Sequence, residues 1–344
     1  MSKKRIIIIS IIPLICITFV LLAAHYQNNL PRPGPRQRQS INSLAELGEL
    51  SQIITVRRLP EREKMDAAYR AEIDDMYLGP AGNLDHIVVY RIIYETRDGA
   101  QVLGFISAPA DYLENEYPIL FRNRGGANTW VRQRRETLDT RQLIVWAITW
   151  TNRGYIVIQT YHRSGNIQIS GEFYDQWGGD DIYDILTLLD IAETFNFAAP
   201  NEIYMIGESR GGMMTYMTLR RDRRVTAAVS VNGLAAVCSF YFQWGWGGHP
   251  TLSSLLGGSP RDVPREYHRR SAVRWANQIR TPMLLLHGER DDMVRVSDSI
   301  RVYERMRNAN RDVTLITFED VGHVFTYEMG LIAHEWIQSR RPER

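Results

Sequence analysis

Lysine is almost missing from this chain of 344 residues: it occurs only at positions 3, 4 and 64, so 38 of the 41 basic residues are arginine. The arginines are scattered among 39 acidic residues, form no single stripe, and leave a formal net charge of only +2. That balance argues against a partner chosen by bulk electrostatics, and no nucleic acid is expected. Cysteine is scarcer still. Cys16 lies in an N-terminal apolar run and Cys238 in the body of the chain, so no intramolecular disulfide is expected. No histidine stands near Cys238 in the sequence to activate it, which makes it a buried, inert thiol rather than a nucleophile. Internal repeats are absent, and low complexity is confined to one Pro- and Arg-rich stretch.

The N-terminus bears on location. Lys3, Lys4 and Arg5 precede Ile6 to Ala24, nineteen residues without a charge. At a 1.5 Å rise that run is about 28 Å long, the thickness of a hydrocarbon core. A secretory signal has a shorter apolar region and a small-x-small cleavage site, whereas Leu22 and Ala24 would flank the cut here. Residues 1–29 are therefore expected to form an uncleaved membrane anchor, with a cleaved signal as the alternative. Either places the remainder outside the cytoplasm, because the basic cluster stays inside. Residues 30–80 read as a tether, PRPGPRQRQS from Pro31 to Ser40, followed by a helical preface with Leu44, Leu47 and Leu50 on one face.

Residues 81–344 carry the domain. His86–Glu95 and Gln101–Pro109 are β-rich and flank Arg97-Asp98-Gly99, which predicts an antiparallel hairpin. Short apolar strands then alternate with helical stretches. The strands are Pro118–Phe121, Tyr155–Gln159, Glu202–Ile206, Val225–Val231, Met283–Leu286 and Val313–Phe318. The helices are Leu138–Thr151, Asp181–Phe195, Arg210–Leu219, Val296–Met306 and Tyr327–Gln338. Continuous apolar strands separated by amphipathic helices mean an α/β fold whose mostly parallel sheet is covered on both faces. A leading hairpin followed by a βα series is the α/β-hydrolase layout.

Within it, Gly207-Glu208-Ser209-Arg210-Gly211 lies between a strand and a helix. A serine on so sharp a turn is strained and exposes its hydroxyl, and the flanking glycines let strand and helix cross without a Cβ collision. The helix N-terminus directs N–H groups at charge developing near the serine, with the Arg210 amide as first oxyanion donor. The bland alternative is a glycine-rich turn with a capping serine. Asp291 and His323 follow, each in the loop after a later strand, in the order Ser, Asp, His. A serine hydroxyl needs an imidazole to take its proton and a buried carboxylate to fix that imidazole's tautomer. Asp292 and Glu289 compete with Asp291 for the acid role. His287 reads as a structural histidine hydrogen-bonded to the acid loop, not as a metal ligand. No metal and no cofactor are expected.

These motifs resemble the catalytic domain of the prolyl oligopeptidase family of serine peptidases. GESRGG (207–212) is similar to its elbow, HGERDDMV (287–294) to its acid loop and VGHVF (321–325) to its histidine loop. YHRSGN (161–166), DQWGGDDIYD (175–184) and RSAVRWANQIRTPMLLLHG (270–288) fit as well. The resemblance covers about residues 86–340 and implies Ser209 as nucleophile, Asp291 as orienting acid and His323 as general base. It also implies a peptide or ester substrate cleaved through an acyl-enzyme, with a small-ester carboxylesterase or a catalytically silent tethered binding module as alternatives. Family peptidases usually carry an N-terminal β-propeller, and the eighty-odd residues before this domain are too few for one. Arg124-Gly125-Gly126 stands where many relatives have His-Gly-Gly, with Gly125 or Gly126 as second oxyanion donor. The segment from Ala235 to Pro250 is dense in aromatics, including Phe242. Phe240, Tyr241, Trp244 and Trp246 are expected either to line a substrate pocket under a short cap near 235–275 or to complete the core. Asp180, Asp181 and Asp184 read as helix caps, and Arg163 as the ion-pair partner of one of them.

Overall fold

Strands that are apolar on both faces must be covered on both faces, and the computed structural model of the chain has that form. It describes residues 40–50, 86–126, 147–163, 175–243 and 249–342. The anchor and tether expected over 1–39, and the preface beyond residue 50, lie outside these described residues. Among the described residues no helix is long and apolar enough to cross a membrane.

The strands are β1 (Gly48–Leu50), β2 (Ile87–Glu95), β3 (Gln101–Pro109), β4 (Tyr117–Asn123), β5 (Ile156–Thr160), β6 (Ala198–Glu208), β7 (Ala227–Val231), β8 (Met283–Gly288) and β9 (Val313–Phe318). They form one sheet in the order β1-β2-β3-β5-β4-β6-β7-β8-β9. The β1–β2, β2–β3 and β3–β5 pairs are antiparallel, and every pair from β5–β4 onward is parallel. The α-helices described from end to end are α1 (Ile182–Ala192), α2 (Arg210–Arg221), α3 (Val237–Phe242), α4 (Pro250–Leu256), α5 (Pro264–Arg270), α6 (Val296–Arg307) and α7 (Tyr327–Gln338), and residues 147–151 are helical as well. This is the α/β-hydrolase layout.

Alternation along each strand divides the core between the two faces. Met283 and Leu285 join Met205 and Ala228 in a cluster under α1, α2 and α6, whereas Leu284 and Leu286 join Tyr204, Ile206 and Val229 under α7. Each fully buried aliphatic side chain contributes about 1.5–3 kcal/mol relative to exposure. Helix α1 follows its sequence pattern, with Ile182, Ile185, Leu186 and Leu189 buried.

The helical preface takes another form where it is described. Leu44–Glu46 is a single 3₁₀ turn, and Gly48–Leu50 is an edge strand paired with β2. Leu44 is fully buried and its amide donates to the Tyr112 hydroxyl at 3.1 Å. Gly48 rests against the Arg91 carbonyl, where a Cβ would collide. Glycine is also a poor residue for a helix interior, so pairing overrides the weak leucine period. Strand β6 begins at Ala198, four residues before the sequence-based start, because its pairing with β4 resumes at Tyr117 and Ala198 across a register shift.

Candidate active site

Parallel strands bring their carboxyl ends to one edge of the sheet, and the loops leaving β4, β6, β8 and β9 meet there. Ser209 follows β6 with φ 53° and ψ −119°, a backbone region that costs a non-glycine residue about 1–3 kcal/mol. The flanking glycines permit the turn: a Cβ at Gly207 would strike the Gly211 carbonyl, and one at Gly211 would strike the Asn123 carbonyl at the end of β4.

Ser209, Asp291 and His323 are separated widely in sequence but adjacent in space. The His323 Nε2 atom lies 3.0 Å from Ser209 Oγ, and its Nδ1 lies 2.7 Å from Asp291 Oδ2. With the proton on Nδ1, Nε2 faces the hydroxyl as an acceptor. Asp291 Oδ1 accepts from the amides of Met293 at 2.9 Å and Val294 at 2.7 Å. Burial alone would raise the Asp291 carboxyl, but hydrogen bonds from His287, His323 and the Val294 amide hold it well below the usual carboxylate range. The competing acids are elsewhere: Asp292 is exposed, and Glu289 accepts from the Thr317 hydroxyl at 2.6 Å. His287 is fully buried, donates from Nε2 to the Val294 carbonyl at 2.9 Å, and accepts from Ser299 Oγ at 2.7 Å. Its Nε2 also lies 3.3 Å from Asp291 Oδ2, so it braces the acid loop.

The Arg210 amide opens α2 and has no intrahelical acceptor. Gly125 lies against the elbow, since a Cβ on it would sit 3.2 Å from Ser209 Cβ. Gly126, with φ 78°, adopts a conformation that favours glycine. Arg124 is buried, with its guanidinium 5.7 Å from the centre of the Tyr161 ring. Burial, reinforced by the nearby Arg210 charge, lowers its pKa to about 10, which still leaves it cationic at neutral pH.

Beneath this edge lies an ion network of which the sequence predicts only the pair between Arg163 and one of Asp180, Asp181 and Asp184. Arg210, an ordinary surface residue by type, is 1% exposed and forms a two-pronged pair with Asp175 at 2.5 and 2.6 Å, plus a bond to Asp181 at 2.9 Å. Burial opposes the Arg210 charge, but Asp175 and Asp181 outweigh it and push the guanidinium pKa up. Arg163 binds Asp184 at 2.7 Å and Asp98 at 2.6 Å. Asp181 and Asp184 thus turn inward to arginines instead of capping α1; Asp181 makes no side-chain bond to the helix it precedes. The only signal for this was the density of acidic residues at 175–184 beside an arginine-rich composition.

Replacing Arg210 by leucine would leave two buried carboxylates facing each other, and we expect a loss of about 3–5 kcal/mol while the backbone amide remains. Without their cation the carboxyls would have raised folded pKa values. The variant should therefore be least unstable at low pH and lose stability as pH rises through those values. Thermal unfolding at pH 5 and pH 8 would check this; a loss under about 1 kcal/mol at both would contradict it.

Phe240 and Tyr241 pack inward. Phe240 stacks on Trp177 at 5.8 Å between centroids and lies 5.5 Å from His249, and Tyr241 meets Tyr267 edge-on at 5.5 Å. One short helix turns both toward the core, leaving Phe242 half exposed. Trp244 and Trp246 lie outside the described residues.

Residues 142–337 match the model of the prolyl oligopeptidase family. Uncharacterized peptidase YtmA of Bacillus subtilis is 25% identical over 256 residues, covering 70% of this chain and 88% of that protein. Dipeptidyl-peptidase 5 of Porphyromonas endodontalis is 23% identical, over 66% of this chain but 33% of that protein. The fold is similar to that of Pyrococcus horikoshii acylaminoacyl peptidase, with TM-score 0.62 and 17% identity over 77% of this chain and 44% of that one. The chain thus spans most of the first relative and less than half of the other two.

Proposed function

Because the chain belongs to the prolyl oligopeptidase family and is a serine hydrolase, we propose that it cleaves peptide or ester bonds through an acyl-enzyme on Ser209. One observation carries this reading: a single imidazole lies 3.0 Å from Ser209 Oγ on one side and 2.7 Å from a carboxylate on the other. His323 Nε2 takes the hydroxyl proton as Oγ bonds to the substrate carbonyl carbon, then gives that proton to the leaving amine or alcohol. Asp291 keeps the Nδ1 proton in place and stabilises the imidazolium. Water, deprotonated by the same imidazole, attacks the acyl carbon in the second half and frees Ser209. The Arg210 amide and an amide of Gly125 or Gly126 receive the carbonyl oxygen's developing charge, where one donor is worth about 10²–10³ in rate.

Peptide bonds are the favoured class, since peptidase stands in the names of the relatives that match. Residues 1–29 anchor the chain in a membrane with the catalytic domain outside the cytoplasm, on the strength of the uncharged run behind Lys3, Lys4 and Arg5. The test is turnover by the full-length chain of an aminoacyl and dipeptidyl p-nitroanilide panel beside p-nitrophenyl esters. Cleavage of anilides supports the peptidase, cleavage of esters alone supports the esterase, and turnover of neither by folded protein contradicts the reading.

A further inference from the structure

The three catalytic loops leave three different strands, and one four-residue segment touches all of them. It runs from Val231, the last residue of β7, to Leu234. Ser209 is gripped at both backbone groups: its amide donates to the Val231 carbonyl at 2.9 Å, and its carbonyl accepts from the Leu234 amide at 2.9 Å. Asn232 reaches the other two. Its amide donates to the Leu286 carbonyl at 2.8 Å. Its side-chain Oδ1 accepts from the amide of Gly288, three residues before Asp291, at 2.9 Å. Its Nδ2 donates at 2.9 Å to the carbonyl of Val324, the residue after His323. Only this orientation of the amide satisfies both neighbours, because one offers an N–H and the other a carbonyl.

We infer that Asn232 is a positioning residue for catalysis, fixing the histidine loop against the acid loop so that His323 meets Ser209 and Asp291 together. This rests on the hydrolase reading given above. Three features support it. The side chain is 1% exposed, so water does not compete for its bonds. The residue has φ 47°, a left-handed conformation that asparagine tolerates and most residues do not. A short amide with one donor and one acceptor arm at that conformation is what the bridge requires; aspartate would set a carboxylate against the Val324 carbonyl, and serine could not reach both partners. The acid and histidine loops also meet through the Glu289 amide to the Phe318 carbonyl and the Arg290 amide to the Val321 carbonyl, both at 2.9 Å, through the Arg290–Asp320 ion pair at 2.6 Å and through Asp291 and His323 themselves. None of these contacts lies beyond His323, whereas the Asn232 bond to the Val324 carbonyl does.

The test uses inactivation of the full chain by a fluorophosphonate, measured as a maximal rate and a half-saturation concentration. Asn232→Gly keeps the left-handed backbone accessible and removes both arms. Its maximal rate is expected to fall by about 100-fold, the scale of an ångström's misplacement, with half-saturation unchanged. Asn232→Asp keeps the arm to Gly288 and loses the one to Val324, and is expected to fall by about tenfold or more. It also covers the case in which the glycine variant fails to fold. A purely structural role would lower the melting temperature and leave the maximal rate of the folded protein intact; that result, or equal rates in wild type and both variants, would overturn the inference. A folded wild-type chain that is not inactivated would instead sink the hydrolase reading, and the positioning role with it.

Discussion

Replacing Ser209 by alanine is expected to lower turnover by about a millionfold, to the residual catalysis that binding and oxyanion donors alone supply. The expectation follows from the position of the hydroxyl. It is the one nucleophilic atom on the elbow, presented by a backbone at φ 53° that no helix or strand would impose. His323 Nε2 lies 3.0 Å from it, so the proton has an acceptor before attack begins. Alanine adopts the same turn at similar cost and removes only the hydroxyl. The variant should melt near wild type and bind substrate with a similar KM. Retention of more than about a hundredth of the activity would mean that the nucleophile is another group.

Asp291→Asn should be nearly as damaging, at about ten-thousandfold in kcat with KM little changed. Oδ1 accepts two loop amides, so the asparagine oxygen must take that place and its NH₂ must face His323. An NH₂ cannot accept the Nδ1 proton. The imidazole must then accept on Nδ1 and carry its proton on Nε2, where it confronts Ser209 with a donor. The loop itself stays closed, because the bonds to Met293 and Val294 survive. Asp292 and Glu289 cannot substitute: one is exposed and the other is engaged with Thr317. Kinetics on the folded variant would check this, and a loss below about tenfold would show that the carboxylate is dispensable.

Much of this site was legible in the sequence because its parts are local. Gly207, Ser209 and Gly211 encode a crossing of strand and helix within five residues, and the collisions their Cβ atoms would meet give the physical reason. Asp291 and His323 could be found because each closes a strand that announces itself by apolar composition. The parts that escaped are those whose meaning depends on remote partners. Arg210 and Asp175 look like surface charges until the fold buries them against each other at 2.5 Å. Asn232 stands in Val-Asn-Gly, a plain turn sequence, and its two side-chain bonds go to residues 56 and 92 positions away. Gly48–Leu50 joins the sheet by pairing with Tyr90 to Ile92, far along the chain, which a short leucine period cannot foretell.

The relation between the network and the chemistry is also clear from geometry. Arg210 contributes its amide to the site's edge and its side chain to the core below. The residue that opens α2 is therefore tied through Asp175 and Asp181 to the entry of α1. Rigidity at the proposed oxyanion donor is the expected consequence, since preorganised donors stabilise charge without reorganising during reaction.

The most direct measurement is the site of covalent modification. Full-length protein treated with a fluorophosphonate would be digested and its adduct located by mass spectrometry, with Ser209→Ala treated in parallel. A single adduct on the peptide carrying Ser209, absent from the alanine variant, is the expected result. An adduct on any other residue, or none on folded wild-type protein, would contradict the account.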